Sequence, residues 1–314
     1  MSNQSIVDVV IPTYRPDGKF EELLRRLGKQ NYPIRRIHVI NTKSGTFPEE
    51  VERMPGVSVT HIDPTKFDHG ATRDMGFSLS DAEILVFMTQ DAVPANVRLI
   101  EGLVKALKQT DRVGVSYARQ LPAKDCDFIE RYTRRFNYPG ESRVKDQSDL
   151  PELGIKTYFC SDVCAAYRRD IYQEMGGFTK RTIFNEDMIM AAKMVNAGYQ
   201  VAYAAEAQVI HSHNYSGLQQ FHRNFDLAVS QADHPEIFEG IRSESEGIRL
   251  VTQTMMHLIK SRKPYLIPSL IYKSGCKYLG YKLGQNYRRL PLWLVKICSA
   301  STTYWEKTAE NRDL

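Results

Sequence analysis

A chain of 314 residues, 42% hydrophobic and 25% charged, has the composition of a globular protein with room for one large domain and an appendage. That composition excludes a disordered chain, a collagen-like fibre and a disulfide-stapled mini-protein. The net charge of +5 is unevenly spread: residues 247–303 hold ten Lys and Arg and no Asp or Glu, so an acidic body precedes a strongly basic tail. Five cysteines, Cys126, Cys160, Cys164, Cys276 and Cys298, are odd in number and never in a C-x-x-C spacing, which points to a reducing compartment without structural zinc. Residues 1–10 lack the basic and apolar regions of a signal peptide. The tail's longest uncharged apolar stretches, 264–272 and 290–295, fall short of the about 18 residues a membrane span needs. The expectation is a cytoplasmic protein without a span.

In chain order, residues 7–11 read as a strand closed by Pro12, 20–30 as a helix with Phe20, Leu23, Leu24 and Leu27 at helical spacing, 36–40 and 57–62 as strands, and 72–79 as a helix. A strand over 84–88, a helix over 97–107 and a strand over 113–118 follow. This alternation with short connections predicts an α/β fold, a mostly parallel sheet covered by helices. Residues 126–153 are polar and turn-rich and read as an irregular surface excursion. The pattern resumes with a strand at 163–167, a short helix capped by Asp170 and stopped by Gly176-Gly177, a helix over 186–196 ended by Gly198, and a strand at 201–204. After His213 the sequence turns helical.

In a parallel α/β sheet the ligand crevice lies beyond the carboxyl ends of the strands. Four polar segments fall there: Pro12-Thr13-Tyr14, Asn41-Thr42-Lys43-Ser44, Phe67-Asp68-His69-Gly70 with Arg73, and Thr89-Gln90-Asp91. Each alone reads equally as turn chemistry; their convergence at one sheet edge marks a site. No G-x-G-x-x-G follows the first strand, which argues against a dinucleotide fold. Asp91, followed by Ala92-Val93-Pro94, is placed either to hold Mg²⁺ or Mn²⁺ beside substrate phosphates or to cap the helix near Val97. Glu186 and Asp187 open a helix after Gly176-Gly177-Phe178. They either complement the helix dipole or, as adjacent carboxylates, raise one pKa and supply a general base. His211 and His213 are either surface residues or metal ligands.

As a set, these residues resemble glycosyltransferase family 2, the inverting nucleotide-sugar transferases of the GT-A fold. The resemblance runs in order over residues 5–225, through Val9-Val10-Ile11-Pro12-Thr13-Tyr14, the segment from Asn41 to Ser44, Arg73, Thr89-Gln90-Asp91, Gly176-Gly177-Phe178, Asn185-Glu186-Asp187 and Val209-Ile210-His211. Phe67-Asp68-His69-Gly70-Ala71-Thr72-Arg73 together with Thr89-Gln90-Asp91-Ala92 is most similar to bacterial rhamnosyltransferases that use dTDP-L-rhamnose. The resemblance implies a GT-A domain over residues 1–225, Rossmann-like with a mostly parallel sheet, and a helical C-terminal region over 226–314. It implies donor contacts from Pro12, Thr13, Tyr14, Asn41, Ser44, His69, Gly70, Arg73, Thr89, Gln90, Asp91 and Asp162. It also implies a divalent cation, Mg²⁺ or Mn²⁺, on Asp91 with His211 or His213, Asp187 as the base that deprotonates an acceptor hydroxyl, and Glu186 orienting the base or the acceptor. Two positions depart from the family pattern. Thr89-Gln90-Asp91 stands where Asp-x-Asp is usual, and Asn41 where an Asp is usual, which implies weak metal affinity.

The tail's Lys, Arg and Tyr residues suit either nucleic acid or an anionic membrane. Ile267, Leu270, Ile271, Tyr278 and Tyr281 on one helical stripe, with Lys273 and Lys277 beside it and a second amphipathic unit over 288–294, favour a membrane surface over nucleic acid. Packing of the stripe on the body, or oligomerisation through it, stays open. The expected protein is a transferase, peripheral on the inner face of the cell membrane, that moves L-rhamnose to a hydroxyl of a lipid-linked or polymeric cell-surface glycan precursor. The alternatives are polyprenyl-phosphate sugar synthesis and a catalytically idle nucleotide-binding relative.

Overall fold

The computed structural model describes residues 4–240 and 244–310. Among the described residues nine strands form one sheet: β1 (Val7–Tyr14), β2 (Arg36–Thr42), β3 (Val57–Ile62), β4 (Ile84–Met88), β5 (Val93–Pro94), β6 (Val113–Leu121), β7 (Arg143–Lys145), β8 (Cys164–Arg168) and β9 (Gln200–Ile210). Their order is β3-β2-β1-β4-β8-β6-β9-β5, with β7 also on β9. β3, β2, β1 and β4 run parallel, as the strand–helix alternation predicts. β8 enters antiparallel between β4 and β6, and β5 and β7 lie antiparallel on β9, so the second half of the sheet is mixed.

β1 is the spine. Val7, Val9, Val10 and Ile11 are buried, and so is Asp8, whose carboxylate receives hydrogen bonds from Arg35 and Ser80. Burial opposes its ionisation, but contacts from His38, Arg35 and Ser80 outweigh that and hold Asp8 well below the usual carboxylate range. On the outer face the helix Gly18–Leu27 buries Phe20, Leu23, Leu24 and Leu27 against this sheet, its start capped by the Asp17 side chain.

Several boundaries differ from the sequence reading. β1 runs through Pro12-Thr13-Tyr14 and β2 through Asn41-Thr42, paired Thr13 to Asn41, so these residues are strand ends and not connections. Pairing of β1 with β4 stops at Val10–Phe87, which leaves β1 an edge on that side, where a proline is tolerated. The helix predicted over 72–79 is His69–Ser78, started earlier by the Asp68 side chain accepting from the Ala71 N–H. Asp170 is not a cap, because the helix begins at Arg169 and Asp170 pairs with Arg168. The excursion over 126–153 is ordered: it contains the helix Phe128–Asn137, β7 and the helix Leu150–Leu153. Phe128 and Tyr132, one turn apart, both stack on His257, a period masked in the sequence by the intervening charges. In β7 the buried Lys145 donates to the carbonyls of Lys156 and Phe159, and burial pulls its pKa down to about 7.

Contacts divide the chain into two units. One comprises Met1–Lys124, Asn137–Lys180 and Glu186–Ser212 and carries the sheet; the other comprises Asp125–Phe136, Arg181–Asn185 and the chain from His213 and is helical. A cut at 225/226 would fall inside the helix Gly217–Asp233. In the helical unit the helix Ile267–Gln285 lies close against Gly217–Asp233: a Cβ at Gly280 or Gly284 would overlap the carbonyl oxygen of Phe221 or Phe225. This close approach splits the expected stripe. Leu270 is buried and Tyr281 donates to Gln231, whereas Ile271 and Tyr278 are exposed. Phe225, Val229, Tyr287, Val295 and Trp305 form a small core. Among the described residues no helix is long and apolar enough to cross a membrane.

Candidate active site

The carboxyl ends of β1, β2 and β4 and the first turns of two helices gather three groups of polar side chains in the sheet unit. The first lies across β1 and β2. Thr13 Oγ1 donates to Asn41 Oδ1 at 3.0 Å, and Asn41 Nδ2 donates to His61 Nδ1 at 2.9 Å, with His61 Nε2 3.0 Å from Glu52. An aspartate at 41 has no hydrogen to give His61, so the Asn that departs from the family pattern is matched to its neighbour. Gln90 makes a reciprocal pair with the Tyr14 backbone, Tyr14 N–H to Oε1 at 2.8 Å and Nε2 to the carbonyl at 3.0 Å. It thereby extends β1 by one rung. The Tyr14 ring is half exposed with the Arg15 guanidinium over it. Ser44 bonds within its own loop to Thr46.

The second group surrounds Arg73, whose guanidinium is almost fully buried. Its Nη1 donates to Glu186 Oε1 at 2.9 Å and to the His69 carbonyl at 3.0 Å, and its Nε lies 3.3 Å from Asp162 Oδ2. Gly70, beside it, is required by packing, since a Cβ there would overlap the Thr179 carbonyl oxygen. The Tyr167 hydroxyl donates to Asp162 Oδ1 at 2.7 Å. Asp187 is held by two backbone donors, the Asp162 N–H at 3.1 Å and the Met188 N–H at 2.7 Å. The two adjacent carboxylates therefore differ in kind. Glu186 is buried on a cation; Asp187 is half-buried, oriented by amides and joined to no guanidinium.

The electrostatics follow. Burial would raise Glu186, but the charges of Arg73 and His69 outweigh it and hold Glu186 below its ordinary value. Burial, with the Glu186 charge added, pushes Asp187 up to about 7. Asp162 is raised well above the carboxylate range, chiefly by burial that Arg73 offsets only in part. A carboxyl group near 7, oriented by amides beside a fixed anion, is matched to taking a proton at neutral pH.

The third group joins the end of β4 to the end of β9. Asp91 Oδ2 lies 3.5 Å from His211 Nε2, and His211 Nδ1 lies 2.9 Å from Gln120 Oε1. The helix Leu99–Leu107 starts at Arg98 with no side-chain cap, so Asp91 does not serve as one. A carboxylate oxygen facing an imidazole nitrogen is a donor set suited to a divalent cation such as Mn²⁺. Two residues before Asp91, the buried Thr89 Oγ1 has no hydrogen-bond partner among the described residues. His213, the other histidine of the sequence reading, is the first residue of the helical unit and stacks on Tyr215. Gln120 and Tyr167 were not signalled by any motif. Tyr167 sits inside a strand read as core, while Gln120 lies two residues beyond the predicted strand 113–118, in the part of β6 that the sequence reading left out.

Residues 8–176 match the family model described as glycosyl transferase family 2. The chain belongs to that family. This glycosyltransferase is 38% identical over 305 residues, 95% of its length and 96% of the relative, to the O-antigen chain rhamnosyltransferase RfbN of Salmonella typhimurium. It is 36% identical over 302 residues, 95% of each chain, to the O-antigen chain rhamnosyltransferase WbaN of Salmonella anatum. Among solved structures it resembles a mannosyltransferase of Pyrobaculum calidifontis in complex with GDP-Man and Mn²⁺ (TM-score 0.56, 17% identity, 98% of this chain and 87% of that one). It also resembles residues 1–349 of S. aureus TarS (TM-score 0.52, 14% identity, 90% and 91%). Those likenesses place the glycosyltransferase in the GT-A fold.

Replacing Asp187 by Asn keeps the size of the side chain and one of the two backbone hydrogen bonds, since Oδ2 and Oδ1 accept one each and an amide has a single oxygen, and it removes the proton acceptor. Turnover is expected to fall by about 10²- to 10⁴-fold with donor binding changed by no more than a few-fold. Single-turnover kinetics with calorimetric donor titration would check this; retention of a tenth of wild-type turnover would contradict it.

Proposed function

We propose that this glycosyltransferase moves L-rhamnose from dTDP-L-rhamnose to a hydroxyl of a lipid-linked or polymeric cell-surface glycan precursor, with inversion at the anomeric carbon. The observation that carries the sugar is the alignment, over 95% of the chain, with relatives named rhamnosyltransferases. The carboxylate arrangement supplies the chemistry.

In this reading the acceptor hydroxyl gives its proton to Asp187 as its oxygen bonds to the anomeric carbon, while the bond from that carbon to the nucleotide diphosphate breaks on the opposite face. A single displacement inverts configuration, so a β-linked donor yields an α-rhamnoside. Glu186, kept ionised by Arg73, holds a fixed negative charge beside the base, which makes protonation of Asp187 favourable as the transition state forms. A divalent cation on Asp91 and His211 would stabilise the negative charge that grows on the leaving diphosphate. In the same reading Thr13, Asn41, Tyr14 and Gln90, linked at the strand ends, hold the nucleotide, and His69, Gly70 and Thr89 serve the donor.

The tail supports attachment to an anionic membrane surface. Trp293 and Ile297, one turn apart in the helix Leu292–Cys298, are 64% and 61% exposed, and Arg288, Arg289 and Lys296 flank them. Apolar side chains and about 1 kcal/mol per basic residue near the surface act together in such binding.

Purified protein with dTDP-L-rhamnose and a glycan acceptor should release dTDP and form an α-linked product, and Asp91→Ala should weaken donor binding and remove its dependence on added Mn²⁺ or Mg²⁺. Equal use of other sugar nucleotides would overturn the sugar assignment; full activity in chelator would overturn the cation. For the tail, Trp293→Ala with Ile297→Ser should release the protein from anionic vesicles in co-sedimentation, and salt should weaken wild-type binding. Loss of dimer with no change in vesicle binding would make this face a subunit contact instead.

A further inference from the structure

Gln120 lies one residue from the end of β6, where the parallel register pairs it with Val209 and the next rung passes the His211 N–H to the Leu121 carbonyl at 2.9 Å. β5, immediately after Asp91, pairs Val93 with Ile210 on the other side of β9. The register of three strands therefore sets Gln120, His211 and Asp91 in a row. The Gln120 side chain is buried at 3% exposure and faces different partners at its two ends. Its Nε2 donates to the Tyr138 hydroxyl at 2.6 Å and to Ser161 Oγ at 3.1 Å; its Oε1 faces His211 Nδ1 at 2.9 Å.

A carboxamide oxygen only accepts, so this arrangement requires the proton of neutral His211 to sit on Nδ1. Its Nε2 then carries a lone pair aimed toward a carboxylate oxygen 3.5 Å away. Two electron-rich atoms facing each other at that distance repel, so the contact calls either for a cation between or beside them or for a second proton on the ring. We propose that Gln120 is a positioning residue of a divalent-cation site: it fixes His211 in the Nδ1–H tautomer and so presents Nε2, together with Asp91, to the metal. An imidazole left to water favours the opposite, Nε2–H form, in which the ring would donate to Asp91 and have no lone pair for a cation. The partner that fixes the remote ring nitrogen decides between the two.

This rests on the cation reading given under Proposed function, and the test separates the two. In metal-free protein carrying ¹⁵N-labelled histidine, the His211 signals, identified by their loss in His211→Asn, should show Nδ1 protonated and Nε2 bare. Gln120→Leu, of similar size but without an acceptor, should return His211 to Nε2–H and weaken Mn²⁺ binding about 10- to 100-fold by titration calorimetry. Gln120→Glu keeps an acceptor, and the Tyr138 and Ser161 hydroxyls can turn to donate to it. It should keep the Nδ1–H tautomer and bind Mn²⁺ within a few-fold of wild type. An Nε2–H tautomer in wild-type protein that binds Mn²⁺, or equal Mn²⁺ affinity in Gln120→Leu, overturns the role of Gln120 alone. Wild-type protein that binds no Mn²⁺ overturns the cation reading and this role with it.

Discussion

A single buried guanidinium shared by too many carboxylates is the constraint on which this site depends. Arg73 meets Glu186 and Asp162 directly, and Asp187 is tied to Asp162 through a backbone N–H. One positive charge cannot neutralise three negative ones in a place with little water, and an uncompensated buried charge costs several kcal/mol. The charge goes to Glu186, which has the 2.9 Å contact and His69 nearby. Asp162, sealed beneath with a tyrosine hydroxyl on it, is pushed toward the neutral form. Asp187, half-buried at the rim, is left poised between the two. The division of labour within the Glu186-Asp187 pair thus follows from which of them reaches the guanidinium.

That cluster exists because three pieces of backbone are held in register. The second turn of His69–Ser78 brings Arg73, the loop before β8 brings Asp162, and the first turn of Glu186–Asn196 brings both carboxylates. Where the family pattern has its first carboxylate this chain has Thr89, whose buried Oγ1 has no hydrogen-bond partner among the described residues. The Gln90 that follows serves the Tyr14 backbone, and Asn41 relays between Thr13 and His61. Both are neutral groups with a donor and an acceptor, and each uses both. Cation binding falls accordingly to Asp91 and an imidazole whose orientation Gln120 governs.

Much of the fold was legible because its strands are short, continuous apolar runs between parallel neighbours. The segments 57–62 and 84–88 and the helix 186–196 coincide with the structure. Ordering within 126–153 was not, since the apolar period of Phe128–Asn137 is diluted by Arg and Glu and its partner His257 lies far along the chain. The antiparallel entry of β8 was equally hidden, because strand direction is a property of the connection and not of Cys164-Ala165-Ala166-Tyr167. In the site, motifs pointed to Asp187, Glu186 and Asp91. They carried no sign that Arg73 would turn onto carboxylates, a matter of tertiary burial. The tail stripe is divided for a related reason: two glycines let one helix face settle on its neighbour, which covers part of the apolar set and leaves the rest exposed.

The proposed mechanism requires Asp187 to be a base whose proton affinity is raised by its surroundings, and the pH dependence of kcat/KM addresses that most directly. Because the ionised form is the active one, the rate should rise about tenfold per pH unit on the acid side and level off above a midpoint near 7. A midpoint at about 4, where an ordinary carboxylate titrates, or a rate that does not change from acid to neutral pH, would contradict it.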